Sequence, residues 1–445
     1  MNALLTDLYE LNMVASYLRR GMTKQATFSL FARRLPESRG FIVAAGVESA
    51  LDLVEHLRFE KDDLDYLRDV PGFTARDLEA FRRFRFTGDV WAIPEGRVAL
   101  AGEPLVEVTA PLPEAQLIET LMLNRVTFET TIASKAARCV IAASGRDLID
   151  FSFRRTQGIE AGLDVARLSA MVGFVSTSNV EAARRFGLVA AGTMAHSYIE
   201  AFPSERDAFR AFAQDFPGRT TFLVDTYDTL SGVRDAIAVI KELRLGGQPG
   251  IRIDSGNLAT LAAGARHLLD QAGLPTARIV ASGSLDEYAI DDLVRGGAPI
   301  DAFGVGTKMG TSADEPYLDT AYKLVEYAGR PVMKLASGKV TAPGRKQVFR
   351  RDRPFGDVIG LFRERVPALR RPVLEPLMVG GKRRGSRSTV AEARARFEAD
   401  RVNLPAASLR IRAPRARQPR QSEALGGLFA ETERNLRLRL KNRRS

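Results

Sequence analysis

The sequence has one cysteine and no long apolar run, and each scarcity excludes a class of protein. Because Cys139 has no second cysteine to pair with, we expect a reducing compartment and a buried structural thiol. No apolar stretch approaches the ~18 to 20 residues that span a bilayer. Asp7 and Glu10 lie where a signal peptide would be apolar. These features predict a cytoplasmic protein without a membrane segment.

Positive charge is in excess only near the C-terminus. The chain has 65 Lys and Arg residues against 54 Asp and Glu, for a formal net charge of +11. Residues 381–445 hold 18 of the basic residues and 6 of the acidic ones, which leaves 47 and 48 in residues 1–380. The body of the protein is therefore electrically balanced, and a nucleic-acid partner is not expected from it.

The middle of the chain repeats one pattern. A short β-branched apolar run precedes a polar or Gly-rich cluster, which precedes a segment with helical periodicity. The apolar runs are residues 148–151, 173–176, 188–191, 221–224, 250–253, 278–281 and 302–305. Apolar strands that alternate with helices predict a parallel sheet, closed or partly closed into a barrel.

The flanking segments differ from this pattern. Residues 86–109 and 320–362 have strand-like runs broken by Gly and Pro, which is typical of an antiparallel sheet, and residues 114–144 read as one long helix. We predict an α/β fold: an irregular, partial α/β barrel with a second β-rich domain built from both chain ends. The predicted domains are an N-terminal β-rich and helical domain (1–145), the catalytic barrel (146–315), a return to the β-rich domain (316–380) and an Arg-rich helical C-terminal extension (381–445).

Polar clusters follow the predicted strands, and the C-terminal ends of barrel strands meet at one mouth. Arg252 and Asp254 alternate about Ile253, so both side chains are expected to point into the barrel. They could form an internal ion pair, or Arg252 could be a fork for a ligand carboxylate that Asp254 holds in place. The sequence supports both interpretations equally.

Other charged residues lie at the same predicted mouth. Asp225 and Asp228 follow the fourth strand, where Asp228 fits a helix N-cap better than Asp225 does. Arg154 and Arg155 directly follow the first strand, where they would supply positive charge for a phosphate or diphosphate. The alternative for these arginines is a solvated surface.

The three histidines differ in their surroundings. His56 and His267 lie on helix patterns, which favours a surface or packing role. His196 lies among small and hydroxyl residues after the third strand, and we interpret it as functional because imidazole can accept a proton or a phosphoryl group.

Two Gly-rich turns, residues 281–284 (ASGS) and 304–310 (GVGTKMG), follow neighbouring predicted strands. Such turns present backbone N–H groups to an anion. Neither matches a P-loop, and either alone would be interpreted as a tight turn. Two of them at one mouth indicate a phosphate site.

Seven ordered motifs carry a resemblance to a known family. They are TDLYELNM, DFSFRRTQG, AGTMAHSYIEAF, FLVDTYDTL, IRIDSGNL, AFGVGT and SGKVTAPGRKQVFR. From residue 4 to about residue 410 the chain resembles nicotinate phosphoribosyltransferases. The resemblance implies a type II phosphoribosyltransferase fold, an irregular α/β barrel with a β-rich domain, and a head-to-tail homodimer whose active sites use both subunits.

The resemblance also implies a reaction. Nicotinate and phosphoribosyl pyrophosphate give nicotinate mononucleotide and diphosphate, in a ligase-type transfer coupled to hydrolysis of ATP to ADP and phosphate, as a step of NAD biosynthesis. His196 matches the histidine that ATP phosphorylates. Tyr9, Thr193 and Arg252 match nicotinate contacts, with Tyr9 lent by the partner subunit and Arg252 pairing with the nicotinate carboxylate.

The remaining matches concern phosphoribosyl pyrophosphate. Arg154 and Arg155 would face its diphosphate, and Asp225 and Asp254 resemble acids near the ribose and its Mg²⁺. Thr307, with the neighbouring Gly304 and Gly306, matches the site for the ribose 5-phosphate. Ser282 and Gly283 are also expected to bind phosphoribosyl pyrophosphate. ATP as co-substrate and Mg²⁺ as cofactor rest on the resemblance alone.

The chain departs from the family pattern at two positions. Ser152 stands where family members commonly have Gly, and Asn257 stands where they commonly have Asp, which removes a carboxylate. One alternative is a nicotinamide phosphoribosyltransferase, because related enzymes can share an arginine at the position of Arg252. Another, of a different class, is a nucleic-acid-binding protein that acts through residues 411–445.

Overall fold

The computed structural model describes residues 3–218, 220–336 and 341–442. The chain divides into two compact units: Met1–Ser134 with Tyr317–Ser445 forms unit 1, and Lys135–Pro316 forms unit 2. Four residues of the predicted motif SGKVTAPGRKQVFR, 337–340, lie outside the described ranges. No helix within those ranges combines the length and apolarity that crossing a bilayer requires.

The first part of unit 1 alternates amphipathic helices with short strands. Its elements are α1 (Leu8–Arg19), β1 (Gln25–Ala32), β2 (Ile42–Val43), α2 (Val47–Glu55), α3 (Lys61–Asp69), α4 (Ala75–Arg82), β3 (Asp89–Ala92), β4 (Val98–Ala99), β5 (Pro104–Pro111), α5 (Leu112–Leu117) and α6 (Glu119–Ala143), which continues into unit 2. The prediction of one helix over 114–144 is wrong, because Ile118 separates α5 from α6. Glu10 of α1 instead caps α6, its Oε1 accepting a hydrogen bond from the backbone N of Thr120 (2.8 Å).

Unit 2 contains the repeated strand–helix pattern. Its elements are β6 (Asp147–Asp150), a 3₁₀ turn (Phe153–Arg155), α7 (Ile159–Val172), β7 (Ser176–Thr177), α8 (Val180–Phe186), α9 (His196–Glu200), α10 (Glu205–Asp215), β8 (Thr221–Leu223), α11 (Thr229–Glu242), β9 (Gly250–Ile253), α12 (Leu258–Gln271), β10 (Arg278–Ala281), α13 (Glu287–Arg295), β11 (Ala302–Val305) and α14 (Thr307–Gly310). The strands form a six-stranded parallel sheet in the order β7-β6-β11-β10-β9-β8. This sheet confirms the predicted partial barrel.

The predicted strand over 188–191 is wrong. Only Ala190 pairs there, in an isolated bridge with Thr177. Val189 is 64% exposed, so the segment lacks the cover on both faces that a central parallel strand receives. The sheet therefore has an irregular edge beside β7.

The chain then returns to unit 1. The elements are β12 (Thr320–Tyr327), β13 (Arg330–Pro331), β14 (Lys346–Arg351), β15 (Gly356–Leu361), β16 (Arg371–Pro372), β17 (Glu375–Val379), β18 (Lys382–Arg383), α15 (Val390–Arg401), β19 (Arg420–Gln421) and α16 (Glu423–Asn442). An antiparallel seven-stranded sheet has the order β13-β12-β1-β5-β3-β17-β18, and a second sheet has the order β16-β14-β15-β19. Strands from both chain ends thus share one sheet, as predicted for the β-rich domain.

Buried polar side chains tie the returning segment into unit 1. Arg350 is fully buried, and its guanidinium pairs with Asp357 (2.6 Å) and Asp400 (2.9 Å). Because Asp400 belongs to α15, this cluster joins that helix to the sheet. The basic C-terminal segment also packs: β19 pairs with β15, and Leu425 of α16 is fully buried.

Candidate active site

The polar clusters of unit 2 follow the carboxyl ends of its parallel strands. β6 ends at Asp150, β9 at Ile253, β10 at Ala281 and β11 at Val305. Carboxyl ends of parallel strands lie along one edge of a sheet, which is where α/β proteins bind ligands. The sequence-predicted residues of unit 2 that lie at this edge are Arg154, Arg155, Asp225, Arg252, Asp254, Ser282, Gly283, Gly304, Gly306 and Thr307.

Arg252 is a largely buried guanidinium near the end of β9. Its Nη1 donates to Oγ1 of Thr193 (2.5 Å), and its Cζ lies 5.9 Å from the ring centroid of Phe151. Within the described ranges, its buried Nε has no hydrogen-bond partner and no ion pair joins it to Asp254. Burial lowers the pKa of Arg252, against the opposing charges of Asp254 and Asp225. A desolvated cation with an unused donor suits a planar anion such as a carboxylate.

Asp225 and Asp254 are joined through their loops. Oδ2 of Asp225 accepts hydrogen bonds from the backbone N of Asp254 (3.0 Å) and from Oγ of Ser255 (2.6 Å). Ser282 donates its hydroxyl to Oδ1 of Asp254 (2.5 Å). The exits of the strands β8, β9 and β10 are thereby linked by side-chain hydrogen bonds.

The two aspartates fit a divalent cation that shares its ligands with a phosphate. Oδ1 of Asp225 is buried and accepts no hydrogen bond from any described residue. In the part of the chain that the structure describes, no three His, Cys, Asp or Glu side chains are grouped as a metal site. Mg²⁺ commonly binds through one or two carboxylates and completes its shell with substrate phosphate and water. Asp225 and Asp254 meet that requirement.

His196 begins α9 and lies next to the fourth strand exit. Its Nδ1 is 3.2 Å from Oγ1 of Thr226. Asp228 accepts a hydrogen bond from the backbone N of Ser231 (2.8 Å), so it caps α11 as predicted. Asn257 accepts a hydrogen bond from the backbone N of Thr260 (3.2 Å). It therefore acts as the N-cap of α12 although it lacks a carboxylate.

The Gly-rich turns are too crowded for side chains at several positions. Gly283 has φ +89°, and a Cβ there would lie 1.7 Å from the carbonyl oxygen of Asp254. A Cβ on Gly304 would lie 2.5 Å from ring carbons of Phe151. Glycine is therefore required for close backbone approach at these turns. Thr307 follows Gly306 directly and begins α14.

Arg154 and Arg155 form the 3₁₀ turn after β6 and are both exposed. Neither forms an ion pair with another described residue. The turn is held by Ser152, whose backbone N and hydroxyl both donate to Oδ1 of Asp150 (2.9 and 2.6 Å). Two accessible guanidinium groups beside a fixed turn can bind a polyanion such as a diphosphate.

Three residues at this edge that were not predicted from the sequence form tertiary contacts there. Asp150 is a fully buried carboxylate at the end of β6, and Phe151 lies beneath Arg252. Lys308, next to Thr307, pairs with Asp286 (2.9 Å), the N-cap of α13. The signal that could have found Asp150 is an acid within the apolar run 148–151 (LIDF), at the point where β6 ends.

A cavity of about 400 Å³ lies against one face of the parallel sheet. Its lining includes Phe151, Thr193 and Val280, and also Asp147, Gln248 and Arg278 near the amino ends of the strands. The cavity therefore runs from the amino ends of the strands to Thr193, whose hydroxyl Arg252 contacts. A larger cavity, about 660 Å³, lies at the amino ends of the strands, away from the predicted chemistry.

Tyr9 lies in α1 of unit 1. It is 47% exposed, and its hydroxyl donates to Oε1 of the buried Glu10 (3.4 Å). Burial and the charges of Glu119 and Glu10 raise the pKa of Tyr9. Burial raises the pKa of Glu10 to about 7, although hydrogen bonds from Thr6 and Thr120 oppose the shift.

Comparisons with known proteins point to one family. The family model described as the nicotinate phosphoribosyltransferase N-terminal domain matches residues 4–127. The model described as the nicotinate phosphoribosyltransferase family matches residues 147–351. The two matches together cover most of the chain.

Individual relatives agree with the family models. The chain is 46% identical over 389 residues to nicotinate phosphoribosyltransferase pncB2 of Mycobacterium tuberculosis, covering 86% of this chain and 83% of the relative. It is 43% identical over 376 residues to the nicotinate phosphoribosyltransferase of Bacillus subtilis, covering 81% and 76%. The crystal structure of human nicotinic acid phosphoribosyltransferase superposes with a TM-score of 0.85 at 28% identity, covering 96% of this chain and 99% of that one. This chain belongs to the nicotinate phosphoribosyltransferase family.

Proposed function

We propose that this chain joins nicotinate to phosphoribosyl pyrophosphate, giving nicotinate mononucleotide and diphosphate, with ATP hydrolysed to ADP and phosphate. One observation carries the choice of substrate. Arg252 is a buried guanidinium beside Thr193, and its Nε has no partner among the described residues. A carboxylate on the ligand would use that donor, whereas a neutral amide would leave the buried charge uncompensated.

Nicotinate would bind with its carboxylate on Arg252 and its ring against apolar walls. Thr193, which already accepts a hydrogen bond from Arg252, would orient the carboxylate. The pyridine ring would stack on Tyr9, supplied by the second subunit of a homodimer. The exposure of Tyr9 and its hydrogen bond to a buried carboxyl group support this role.

Phosphoribosyl pyrophosphate would bind across the strand exits. Arg154 and Arg155 would clamp its diphosphate, and Thr307 with the neighbouring Gly-rich turns would bind the 5-phosphate through hydroxyl and backbone N–H groups. Ser282 and Gly283 would approach the ribose. Support comes from the accessible guanidinium groups and from the absence of space for side chains in the turns.

The transfer is a displacement at the ribose anomeric carbon. The ring nitrogen of nicotinate forms a bond to C1 as the bond from C1 to the diphosphate oxygen breaks and its electron pair leaves with the diphosphate. Asp225 and Asp254 would stabilise the positive charge that develops on the ribose, and Arg154 with Arg155 would stabilise the departing anion. Mg²⁺ held by these aspartates would supply further charge neutralisation for the diphosphate when bound.

His196 would receive the γ-phosphoryl group of ATP. With Nδ1 donating to Thr226, Nε2 keeps its lone pair and can form a bond to phosphorus as ADP departs. Hydrolysis of this phosphohistidine would release phosphate and favour mononucleotide formation. The contact between Nδ1 and Oγ1 of Thr226, 3.2 Å, engages Nδ1 and not Nε2, which supports Nε2 as the phosphoryl acceptor. We expect the reaction to take place in the cytoplasm.

Labelling with γ-³²P-ATP tests the phosphohistidine. The wild-type protein should acquire an acid-labile label, and His196→Ala should not. His267→Ala provides a matched control, because His267 lies on α12 and away from the strand exits; it should label like the wild type. Label that persists in His196→Ala would contradict the assignment.

A further inference from the structure

We propose that Ser152 is a positioning residue that sets the spacing of two anion-binding turns. The first turn carries Arg154 and Arg155, and the second is the start of α14 at Thr307. The inference rests on the proposed function, which assigns the diphosphate to the first turn and the 5-phosphate to the second. Because one substrate molecule must reach both turns, their separation controls how well it binds.

Ser152 fastens the first turn to a buried carboxylate. Both Ser152 and Asp150 are fully buried, and Oδ1 of Asp150 accepts hydrogen bonds from the serine backbone N (2.9 Å) and hydroxyl (2.6 Å). Oδ2 of the same carboxylate accepts one from Oγ1 of Thr177 (2.7 Å). A buried carboxylate is costly unless its oxygens are bonded, so these three bonds act as a unit.

The side chain of Ser152 also fills a space that the second turn leaves open. A Cβ placed on Gly310 would lie 2.4 Å from Cβ of Ser152 and 3.0 Å from its Oγ. Gly310 ends α14, and its backbone N donates to the carbonyl oxygen of Gly306 (3.0 Å). Serine in the first turn and glycine in the second are therefore sterically complementary.

The two turns leave neighbouring strands. Asp150 of β6 pairs with Val305 of β11, and the backbone N of Phe151 donates to the carbonyl oxygen of Val305 (2.8 Å). The strand ends would stay joined if residue 152 had no side chain. The φ of Ser152, −84°, is accessible to any residue, so glycine there would not strain the backbone. We therefore expect substitutions at Ser152 to leave the sheet intact and to loosen the turns beyond it.

Four variants separate the hydrogen bond from the steric contact. Ser152→Ala keeps Cβ but removes the hydroxyl, and Ser152→Gly removes both. Gly310→Ala forces a collision with Ser152. The double variant Ser152→Gly with Gly310→Ala fills the space from the other side, where the next neighbour, Cγ2 of Thr156, lies at 3.4 Å. Ser169→Ala is the control, because Ser169 is equally buried in α7 but lies in a helix, bonded to the carbonyl oxygen of Ala166.

The readout is the KM for each substrate. We expect Ser152→Gly and Gly310→Ala each to raise the KM for phosphoribosyl pyrophosphate about 5-fold to 10-fold, and Ser152→Ala about 3-fold. The KM for nicotinate should stay within about twofold, as should both constants in the control. The double variant should recover to about 3-fold above wild type, a non-additivity that general destabilisation would not produce.

Three results would overturn the inference. They are an unchanged KM for phosphoribosyl pyrophosphate in Ser152→Gly, an equal rise in both KM values, and a double variant as poor as the product of the single effects. Calorimetric titration of phosphoribosyl pyrophosphate with Mg²⁺, without nicotinate, separates this inference from the proposed function. If the wild type binds it but forms no mononucleotide, the proposed function fails and the Kd values of the variants decide on Ser152. If the wild type does not bind it, both fail.

Discussion

At the residue scale, Arg252 keeps a guanidinium largely out of water with a hydroxyl as its neighbour and no carboxylate partner among the described residues. The positive charge of such a group has no directly bonded carboxylate until an anionic ligand binds. We therefore expect the ligand carboxylate to contribute strongly to the free energy of binding. We therefore expect Arg252 to determine both nicotinate binding and the preference for the acid over its amide.

Replacement of Arg252 by lysine tests this interpretation. Lysine keeps the charge but loses the planar fork, so kcat/KM for nicotinate should fall about 30-fold to 1000-fold, or about 2 to 4 kcal/mol. Arg210→Lys is the control, since the guanidinium of Arg210 lies on α10 and pairs with Glu242 (2.7 Å). Steady-state kinetics measure both. Near-normal kcat/KM in Arg252→Lys would rule out the fork.

Glu10 predicts a pH dependence of stability. Burial raises its pKa from 4.5 to about 7, so between these values the folded state binds more protons than the unfolded state. Stability should therefore fall as pH rises from 4.5 to about 7, by up to about 3 kcal/mol, and this loss should be complete above pH 7. Glu10→Gln should make this decline shallower and be more stable than wild type at pH 8; part of the decline should remain, because burial also raises the pKa of Glu114 and of Glu119 in unit 1.

Urea unfolding followed by fluorescence of Trp91, the single tryptophan, reports on unit 1, which contains Glu10. Glu79→Gln is the control, because Glu79 is an exposed carboxylate whose pKa is lowered by hydrogen bonds from Arg82. It should keep the decline between pH 4.5 and 7. A Glu10→Gln protein with the same decline as wild type would show that Glu10 does not titrate there.

The sequence predicted that the Arg252 side chain points into the barrel, but it did not predict that Thr193 is its hydrogen-bond partner. Alternation about Ile253 is local and follows from strand geometry, so the inward orientation could be predicted. Thr193 is 59 residues away, in an irregular loop, and the bond between Asp150 and Ser152 depends on complete burial of both. Contacts of this kind need the tertiary fold.

At the element scale, the strand-to-helix turn at Gly283, which we propose binds phosphoribosyl pyrophosphate, requires glycine for two reasons. Gly283 has a left-handed φ and no room for a Cβ. Gly273, after α12, also has a left-handed φ, +75°, but has open space around it. The pair therefore separates backbone strain from collision.

Gly283→Ala should combine both costs. We expect it to lower the free energy of unfolding by more than about 2 kcal/mol and to raise the KM for phosphoribosyl pyrophosphate, because the carbonyl of Asp254 must move. Gly273→Ala should cost only about 1 kcal/mol and leave the KM unchanged. Circular-dichroism melts and steady-state kinetics compare the two. Equal effects on KM would contradict a specific role for the turn at Gly283.

Predictions of where helices and strands begin and end were wrong where tertiary contacts determine those ends. The helix predicted over 114–144 breaks at Ile118 because Glu10, distant in sequence, caps the new helix at Thr120. The strand predicted over 188–191 is apolar enough, but it lies at an open edge where Val189 is exposed. The other strands of the parallel sheet lie within or next to the predicted runs because hydrophobic burial on two faces is visible in composition.

At the scale of the whole molecule, the basic C-terminal segment is part of unit 1. β19 pairs with β15, and Leu425 is fully buried, so removal of residues 411–445 would delete structure as well as charge. We expect that deletion to destabilise unit 1, as measured by Trp91 fluorescence. The predicted nucleic-acid alternative therefore needs a test that keeps the fold.

Substitution of Arg417 and Arg420 by glutamine removes exposed charge without truncation. Because the proposed catalytic groups lie in unit 2 and the rest of the chain is nearly neutral, we expect kcat/KM to stay within about twofold of wild type. Salt-dependent binding to a DNA duplex, measured by fluorescence anisotropy, should be weak in both proteins. Tight binding that the substitutions abolish would support a nucleic-acid function for this segment.

Product formation from nicotinate and nicotinamide, side by side, tests the central claim most directly. Purified protein would be supplied with phosphoribosyl pyrophosphate, Mg²⁺, ATP and either base, and the mononucleotide product quantified by chromatography. We predict nicotinate mononucleotide as the product, with little or no product from nicotinamide, because only nicotinate supplies the carboxylate that Arg252 lacks. Product from nicotinamide and none from nicotinate would contradict the account.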